Sequence, residues 1–502
     1  MTESVLVIGA GIGGLCTALA LAPTGREVTV IERDAPPPGD DPDTVFHEWK
    51  HTGVGHLRQS HAFLARLRSI IKRDHPRLMQ ELLDLGVREL TFDAMLSDLQ
   101  RDDYSPEPSD AELTIITSRR TTLELAMRRY VGSLDNVTIR SGFLVRRLIT
   151  DKGEDGVLNV RGIIGDSDGA EASVTADIIV DASGKNGFTI DQLKADGADF
   201  PEEAESAGIL YFTRHYRLKP GKDEPSRTEN PPPSGDLGFL KFGVFPGDNG
   251  CFSITMAVPE VEMELRKAIL NPDVFHAMTL LLPGLAPWTD SERSDPVGRV
   301  HGMGDLISRW RDLVVDGKPL TRHYFALGDT LIRTNPLYGR GCSFAAVSGQ
   351  VLRETLDETS DPDARSVAFH QRLLTELKPY YLNQRAQDRA AIKRARQALT
   401  PDYKPGLRAR LMQGFFDDGV RIALRYDTRL LRDAMRGFHM LEHPNKWLGK
   451  PGNFAKVLYY WARGPKRNAA AYPPKAGPER NEMIKALSLD YQADIDRIAQ
   501  GA

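Results

Sequence analysis

The sequence predicts an α/β fold: a parallel-sheet domain with an antiparallel-sheet domain interleaved into it and a helical C-terminal region behind. Three observations predict it. Short apolar runs at residues 4–8 and 176–182, and a further buried strand expected within 320–329, each enter a glycine-rich turn, as strands buried on both faces of a parallel sheet do. Residues 209–259 switch to two-residue alternation (ILYFTRHYRL, FLKFGVF, CFSITMAV), the period of a sheet with two unlike faces. Beyond about residue 362 the period is helical to the end. At 502 residues the chain is long enough for two to four units. We expect boundaries at 1–200, 201–300, 301–360 and 361–502, the third segment completing the first.

In order, residues 4–8 (SVLVI) read as a strand, residues 15–21 as a helix and residues 27–32 (EVTVIE) as a second, β-branched strand. Residues 34–43 carry four prolines and read as a loop. Residues 61–73 and 78–85 place apolar side chains at helical spacing (Phe63, Leu64, Leu67, Ile70, Ile71), and residues 121–131 are a further helix. Residues 137–141 and 157–164 are expected strands. Residues 176–182 form another, ending in Ser183-Gly184-Lys185-Asn186-Gly187. Residues 219–235 read as a loop within the antiparallel region, and 320–329 return to a buried strand.

Bulk properties exclude several classes. Net charge is −4, so no basic stripe for nucleic acid is expected. The three cysteines, Cys16, Cys251 and Cys342, are far apart and form no CxxC pair. This argues against a disulfide framework or a thiolate metal site and for a reducing compartment. No metal site, signal peptide or transmembrane segment is expected, and the expected location is cytoplasmic.

The first turn carries the first chemistry. Gly9-x-Gly11-Ile-Gly13-Gly14 lies between a strand and a helix, and Glu32 ends the next strand, followed by Arg33. One glycine makes the tight turn, one lets backbone approach a pyrophosphate, and one lets helix and strand pack closely. The helix start offers free N–H groups to the phosphates, and the acid accepts from ribose hydroxyls. This is the Rossmann-type dinucleotide-binding arrangement.

A second segment selects the dinucleotide. Gly328-Asp329 follows a buried strand; Asn335-Pro336-Leu337-Tyr338-Gly339-Arg340-Gly341-Cys342 then leads into a helix. This resembles the second flavin motif of the FAD-dependent monooxygenase superfamily, which has the para-hydroxybenzoate hydroxylase-like fold and includes aromatic hydroxylases, squalene-type epoxidases and bacterial polyether epoxidases. The resemblance implies a glutathione-reductase-like FAD-binding domain with non-covalent FAD. It places Asp329 on the ribitol chain, with Gly328, Pro336, Gly339, Gly341 and Cys342 beside the ring. Gly53-Val-Gly-His56-Leu-Arg58-Gln-Ser-His61 is similar to a segment of the epoxidase-like members, with Gly55 where Pro is usual and His56 where Gln is. Ser118-Arg119-Arg120-Thr-Thr-Leu123-Glu124 is similar to the Ser/Thr-Arg-x-x-Leu-Glu segment, whose Arg reaches FAD; spacing to Leu-Glu selects Arg120. Residues 439–449 loosely resemble a Leu-x-x-Pro-x-x-Leu stretch of the same members.

Asp181-Ala182-Ser183-Gly184 departs from the Ala-Asp-Gly of single-component hydroxylases, since Ser183 stands where that Asp would be. The form resembles flavin halogenases and bacterial epoxidases, although the halogenase Trp-x-Trp-x-Ile-Pro is absent from the sequence. Asp181 and Gly184 are expected near FAD. The implied function is insertion of one oxygen atom from O2 into a small organic substrate through a flavin C4a-hydroperoxide, by epoxidation of an alkene or hydroxylation of an electron-rich ring. Electrons would come from NAD(P)H or from a separate flavin reductase. Alternatives are a C=C reductase of the geranylgeranyl reductase type, a halogenase, and a flavin-binding sensor without turnover. Tyr338, Arg340 and His56 are the catalytic candidates; His61, Tyr211 and His215 are further proton-donor candidates.

Overall fold

The computed structural model describes residues 2–500 other than 168, 186 and 227–230. Its centre is a parallel sheet ordered Tyr324–Ala326, Ile178–Asp181, Ser4–Ile8 (β1), Glu27–Ile31 (β2) and Val137–Arg140. Val5, Leu6, Val7, Val30, Ile179, Val180 and Phe325 are buried in it, in one core with helical residues such as Leu15, Leu123 and Val347 and with Leu148, Val160 and Ile163 of the antiparallel strands Phe143–Lys152 and Leu158–Ser167. The βαβ crossover runs from β1 through Ile12–Leu21 (α1) to β2. These apolar runs have no polar face to offer solvent, so only a doubly covered sheet can accept them.

The antiparallel sheet runs Ser234–Asp236, Lys241–Pro246, Cys251–Pro259, Ile209–Leu218 and Ser294–Met303. One face carries Phe212, Tyr216, Phe252, Ile254 and Met256 into a second core with Phe275, Met278 and Trp288. Met483 and Ile484, from the helix Arg480–Ala486 near the C-terminus, join that core. The other face, carrying Tyr211, Thr213 and His215, meets the loop at residues 58–60 and Asn335. That contact builds the site.

Three local expectations change. Residues 61–73 are not one helix: Ala62–Phe63 pairs antiparallel with Ile115–Thr117, and the helix starts only at Ala65. Strand pairing from a distant segment overrides the helical period there. The proline-rich stretch ends in a helix, Pro42–Glu48 (α2), because Asp41 accepts from the Thr44 amide at 2.7 Å and Pro42 is pre-set for a first turn. The run at 320–329 is broken at His323, whose φ of +62° turns the chain from Thr321–Arg322, paired to Leu158–Ser167, into Tyr324–Ala326, the edge strand of the parallel sheet.

Candidate functional site

The glycines of the first turn divide into two kinds. Gly9 has φ +99°, and a Cβ there would stand 2.6 Å from the Ala182 carbonyl oxygen; a Cβ on Gly14 would overlap the Gly9 carbonyl oxygen. These two close the turn. Gly11 differs, because a Cβ there would meet nothing nearer than a Val54 methyl at 3.9 Å. Its near side is open, and no side chain caps the start of α1. The first-turn N–H groups and the positive helix end are thus available to a pyrophosphate. At the end of β2, buried Glu32 accepts from the Ala10 and Asp34 amides at 2.9 and 3.0 Å, with Arg128 at 3.4 Å. Its Oε1, which accepts only from the Asp34 amide, keeps acceptor capacity for a ribose hydroxyl. Arg33 is exposed and touches Thr52 at 3.3 Å.

The second segment repeats that logic. Gly328 sits at φ +57°, and the half-buried Asp329 carboxylate accepts no hydrogen bond among the described residues. Burial raises its pKa, against the pull of Arg333 and Arg120. Pro336 opens the short turn Pro336–Tyr338. Asn335 caps that turn, accepting from the Leu337 amide at 3.1 Å, and Gly339 closes it at φ +64°. The helix Gly341–Glu358 then begins without a side-chain cap, and nothing stands within 4 Å of a Cβ added at Gly341. Burial pushes the Cys342 thiol up to about 11, so it is neutral. Two uncapped helix starts and one unpartnered carboxylate fit the pyrophosphate, pyrimidine edge and ribitol of FAD.

Asp181 holds the two segments together. It accepts from the Ser183 amide at 2.8 Å, the Tyr324 hydroxyl at 3.0 Å, the Thr330 hydroxyl at 3.3 Å and the Thr189 hydroxyl. Thr330 also accepts from the Gly184 amide at 3.1 Å. With its lone pairs so occupied, Asp181 positions the turn. Asn186 lies outside the described residues.

Arg120 joins the motifs. Its guanidinium is buried, donates to Glu124 at 2.6 Å and to His56 Nε2, and is close enough to Asp329 and Cys342 to bias their charge. Its neighbour Arg119 faces elsewhere, pairing with Asp248 at 2.6 Å in the antiparallel domain. Burial alone would raise Glu124, but Arg120, His51 and Arg128 hold it below the usual carboxylate range. Glu124 and His51 were missing from the sequence candidates, although Glu124 ends the very segment that selects Arg120.

The histidine and arginine candidates have these surroundings. Burial and Arg120 hold His56 well below its ordinary pKa, and its Nε2 accepts from Arg120; it has no proton to give there. His61, stacked on it at 5.9 Å, is pushed down to about 3 by burial and Arg120. His215, pushed down to about 4 by burial, meets the Arg58 carbonyl through Nε2 at 3.0 Å. Arg340 turns away, donating to the Tyr380 carbonyl at 3.1 Å. Arg58 spends its donors on the carbonyls of Phe46 and Trp49 at 2.9 and 3.1 Å, at the end of α2. Tyr338 remains, its hydroxyl without a hydrogen-bond partner among the described residues and its pKa raised by burial.

Asn335 of the second motif has a partner with no sequence signal, Asp388. Asn335 accepts from the Tyr211 hydroxyl at 2.5 Å and donates to Asp388 at 2.8 Å, while Gln384 donates to its carbonyl at 2.9 Å. Asp388 and Gln384 come from the helix Lys378–Leu399. Burial pushes Asp388 up to about 6. In the unfolded chain its pKa is about 3.9, so the unfolded state ionises first as pH rises. Wild-type stability should therefore fall between about pH 4 and pH 6, relative to Asp388→Asn, and run parallel to it above that. The relative loss should approach 3 kcal/mol in denaturant titrations, since a tenfold change in an ionisation constant is worth about 1.4 kcal/mol. A difference that is flat with pH would show that the Asp388 carboxyl is solvated.

A cleft of about 720 Å³ is lined in part by Arg299 to Met303 of the edge strand Ser294–Met303. Leu210, Phe212 and Met303 give it an apolar wall, and Arg58 and Arg299 stand at its side. Asp305 lines it too, and the Asp305 carbonyl accepts from Arg333, the arginine beside Asp329.

The family model described as FAD dependent oxidoreductase matches residues 4–104, the stretch that carries the first glycine turn, α1, β2 and Glu32. Protein Rv3254 of Mycobacterium tuberculosis (strain ATCC 25618 / H37Rv) is 26% identical over 372 residues, covering 70% of this chain and 73% of that protein. Among solved structures, PqsL of Pseudomonas aeruginosa, described as a probable FAD-dependent monooxygenase, is similar with a TM-score of 0.54 at 14% identity, covering 78% of this chain and 98% of that one. The flavin-dependent brominase Bmp2 is similar with a TM-score of 0.51 at 16% identity, covering 94% of this chain and 97% of that one. At these identities the two structures show a shared fold. Among the described residues no helix is long and apolar enough to cross a membrane.

Proposed function

We propose that the chain is a monooxygenase that inserts one oxygen atom of O2 into a small organic substrate, by epoxidation of an alkene or hydroxylation of an electron-rich ring. The observation that carries this reading is the convergence of the uncapped helix start at Gly341, the unpartnered Asp329 and the polar face of the antiparallel sheet at Asn335. FAD, once bound and reduced, supplies the oxygen-activating chemistry. The chain's own residues bind and orient: Gly11 and α1 the pyrophosphate, Glu32 the ribose, Asp329 the ribitol. The Tyr338 hydroxyl is the group left to hold a proton beside the ring, and the cleft at Phe212 and Met303 admits the substrate.

Reduced holoenzyme given heavy-isotope O2 and a metabolite extract should yield a product with one heavy oxygen, read by mass spectrometry. A saturated C=C bond without heavy oxygen would identify a reductase instead, and halide in the product a halogenase. We propose further that a separate reductase supplies the electrons, because the one dinucleotide fingerprint is taken by FAD and Ser183 replaces the Asp of single-component enzymes. Mixed anaerobically with NADPH or NADH, holoenzyme should bleach more slowly than about one per second, the low end of ordinary turnover, until a flavin reductase is added. Faster bleaching would overturn the separate reductase and leave oxygen insertion standing.

A further inference from the structure

Large apolar side chains that face solvent are concentrated in one place. Leu407 is 66% exposed, Leu411 and Met412 are 51% and Phe416 is 50%. The helix Leu407–Gly414 that carries the first three has no buried residue. Eight residues are too few for a helix to be stable in water by itself, and an apolar face gives it no reason to stay there. The same surface continues across Phe415, whose ring meets Phe416 at 5.5 Å and Phe454 at 6.1 Å. Phe454 and Leu458, one turn apart on the helix Pro451–Arg467, are again exposed. Contiguous apolar surface of this kind marks a docking face.

Charge identifies the occupant. Lys393, Arg394, Arg396, Lys404, Arg408 and Arg410 all lie within residues 393–412 against a single acid, Asp402, in a chain whose net charge is −4. All six are exposed, and none is paired with a carboxylate among the described residues. A second copy related by two-fold symmetry would bring a second such basic segment to the same interface without adding acids to pair it. An anionic surface removes it. Tyr403 and Tyr459, both exposed, supply the amphipathic rings that settle between headgroups and acyl chains.

We propose that this face docks on anionic lipid bilayers: the apolar residues of 407–416 and 454–458 enter the headgroup boundary, and the basic residues of 393–410 contact lipid phosphates. The protein lies on the membrane without crossing it.

The test is vesicle flotation of full-length holoenzyme at low and high salt. The protein should float with phosphatidylglycerol/phosphatidylcholine vesicles at least tenfold more than with phosphatidylcholine alone, and high salt should release it. Leu411→Asp and, separately, the pair Arg408→Glu/Arg410→Glu should each reduce flotation at least tenfold, with FAD content and melting temperature unchanged. No flotation with either vesicle, or flotation unaffected by both variants, would overturn the proposal. Dimers in light scattering that Leu411→Asp dissolves, without vesicle binding, would assign the face to a second copy instead.

Discussion

Replacing Arg120 with methionine should cost about 3–5 kcal/mol of folding stability, the usual penalty for leaving one partner of a buried ion pair behind. Arg120 is buried and Glu124 fully so, and the guanidinium donates to Glu124 at 2.6 Å. Without it, His51, with Nε2 3.4 Å away, is the remaining basic group in contact with that carboxylate. The denaturant midpoint should fall accordingly. The double variant Arg120→Met/Glu124→Leu should recover most of the loss, because apolar residues of similar volume do not carry an unpaired charge into the interior. Flavin should not recover with it, since Arg120 also stands beside Asp329 and Cys342, where the second motif meets the ring. This divergence separates support of the fold from support of the cofactor. A single variant that loses less than about 1 kcal/mol would show the cluster to be solvated, and a double variant with full flavin content would take Arg120 out of the cofactor site.

The parts of this site legible in the sequence are those fixed by backbone geometry over a short span. Gly9 and Gly14 must be glycine because backbone oxygens occupy the places of their Cβ atoms, and such a requirement appears as a spacing. The strand runs at 4–8 and 176–182 and the Gly328–Gly341 segment are legible for the same reason. Alternation put Tyr211 and His215 on one face of their strand, but not which partner that face would meet. Asp388 is different. It reaches Asn335 from a helix 53 positions along the chain, and nothing in the local pattern of a charged helix distinguishes one inward-facing Asp. The partners of His56 and Arg340, the Arg120 guanidinium and the Tyr380 carbonyl, were not legible for a related reason: proximity in sequence to a flavin motif says nothing of where a long side chain points. The same holds for Arg58, which caps α2. The helix expected from residue 61 was lost to a two-residue strand pairing, too short to leave a period.

Gly14→Ala and Gly11→Val should fail in opposite ways, although the smaller side chain goes into the first. A methyl at Gly14 overlaps the Gly9 carbonyl oxygen, part of the backbone that joins β1 to α1. Neither atom can swing aside as a flexible side chain would, so the turn must open, and overpacking of this kind costs about 1–3 kcal/mol or more. Gly14→Ala should therefore lose thermal stability and flavin together. Gly11 is not at positive φ, and beyond a Val54 methyl at 3.9 Å its Cβ direction is open. The Cβ of a valine there meets no clash in the empty protein, and Gly11→Val should melt close to the wild-type apoprotein. What its branches fill is the approach of the pyrophosphate to the uncapped first turn of α1. FAD affinity should drop at least a hundredfold, about 2.8 kcal/mol, and the protein should purify colourless. The measurement is paired: melting of the apoproteins, and flavin binding by fluorescence quenching. If Gly11→Val binds FAD like wild type, the pyrophosphate does not lie on α1, and the open side of that turn serves some other ligand. If Gly14→Ala keeps both its stability and its flavin, the closeness of helix to strand is not what holds the turn.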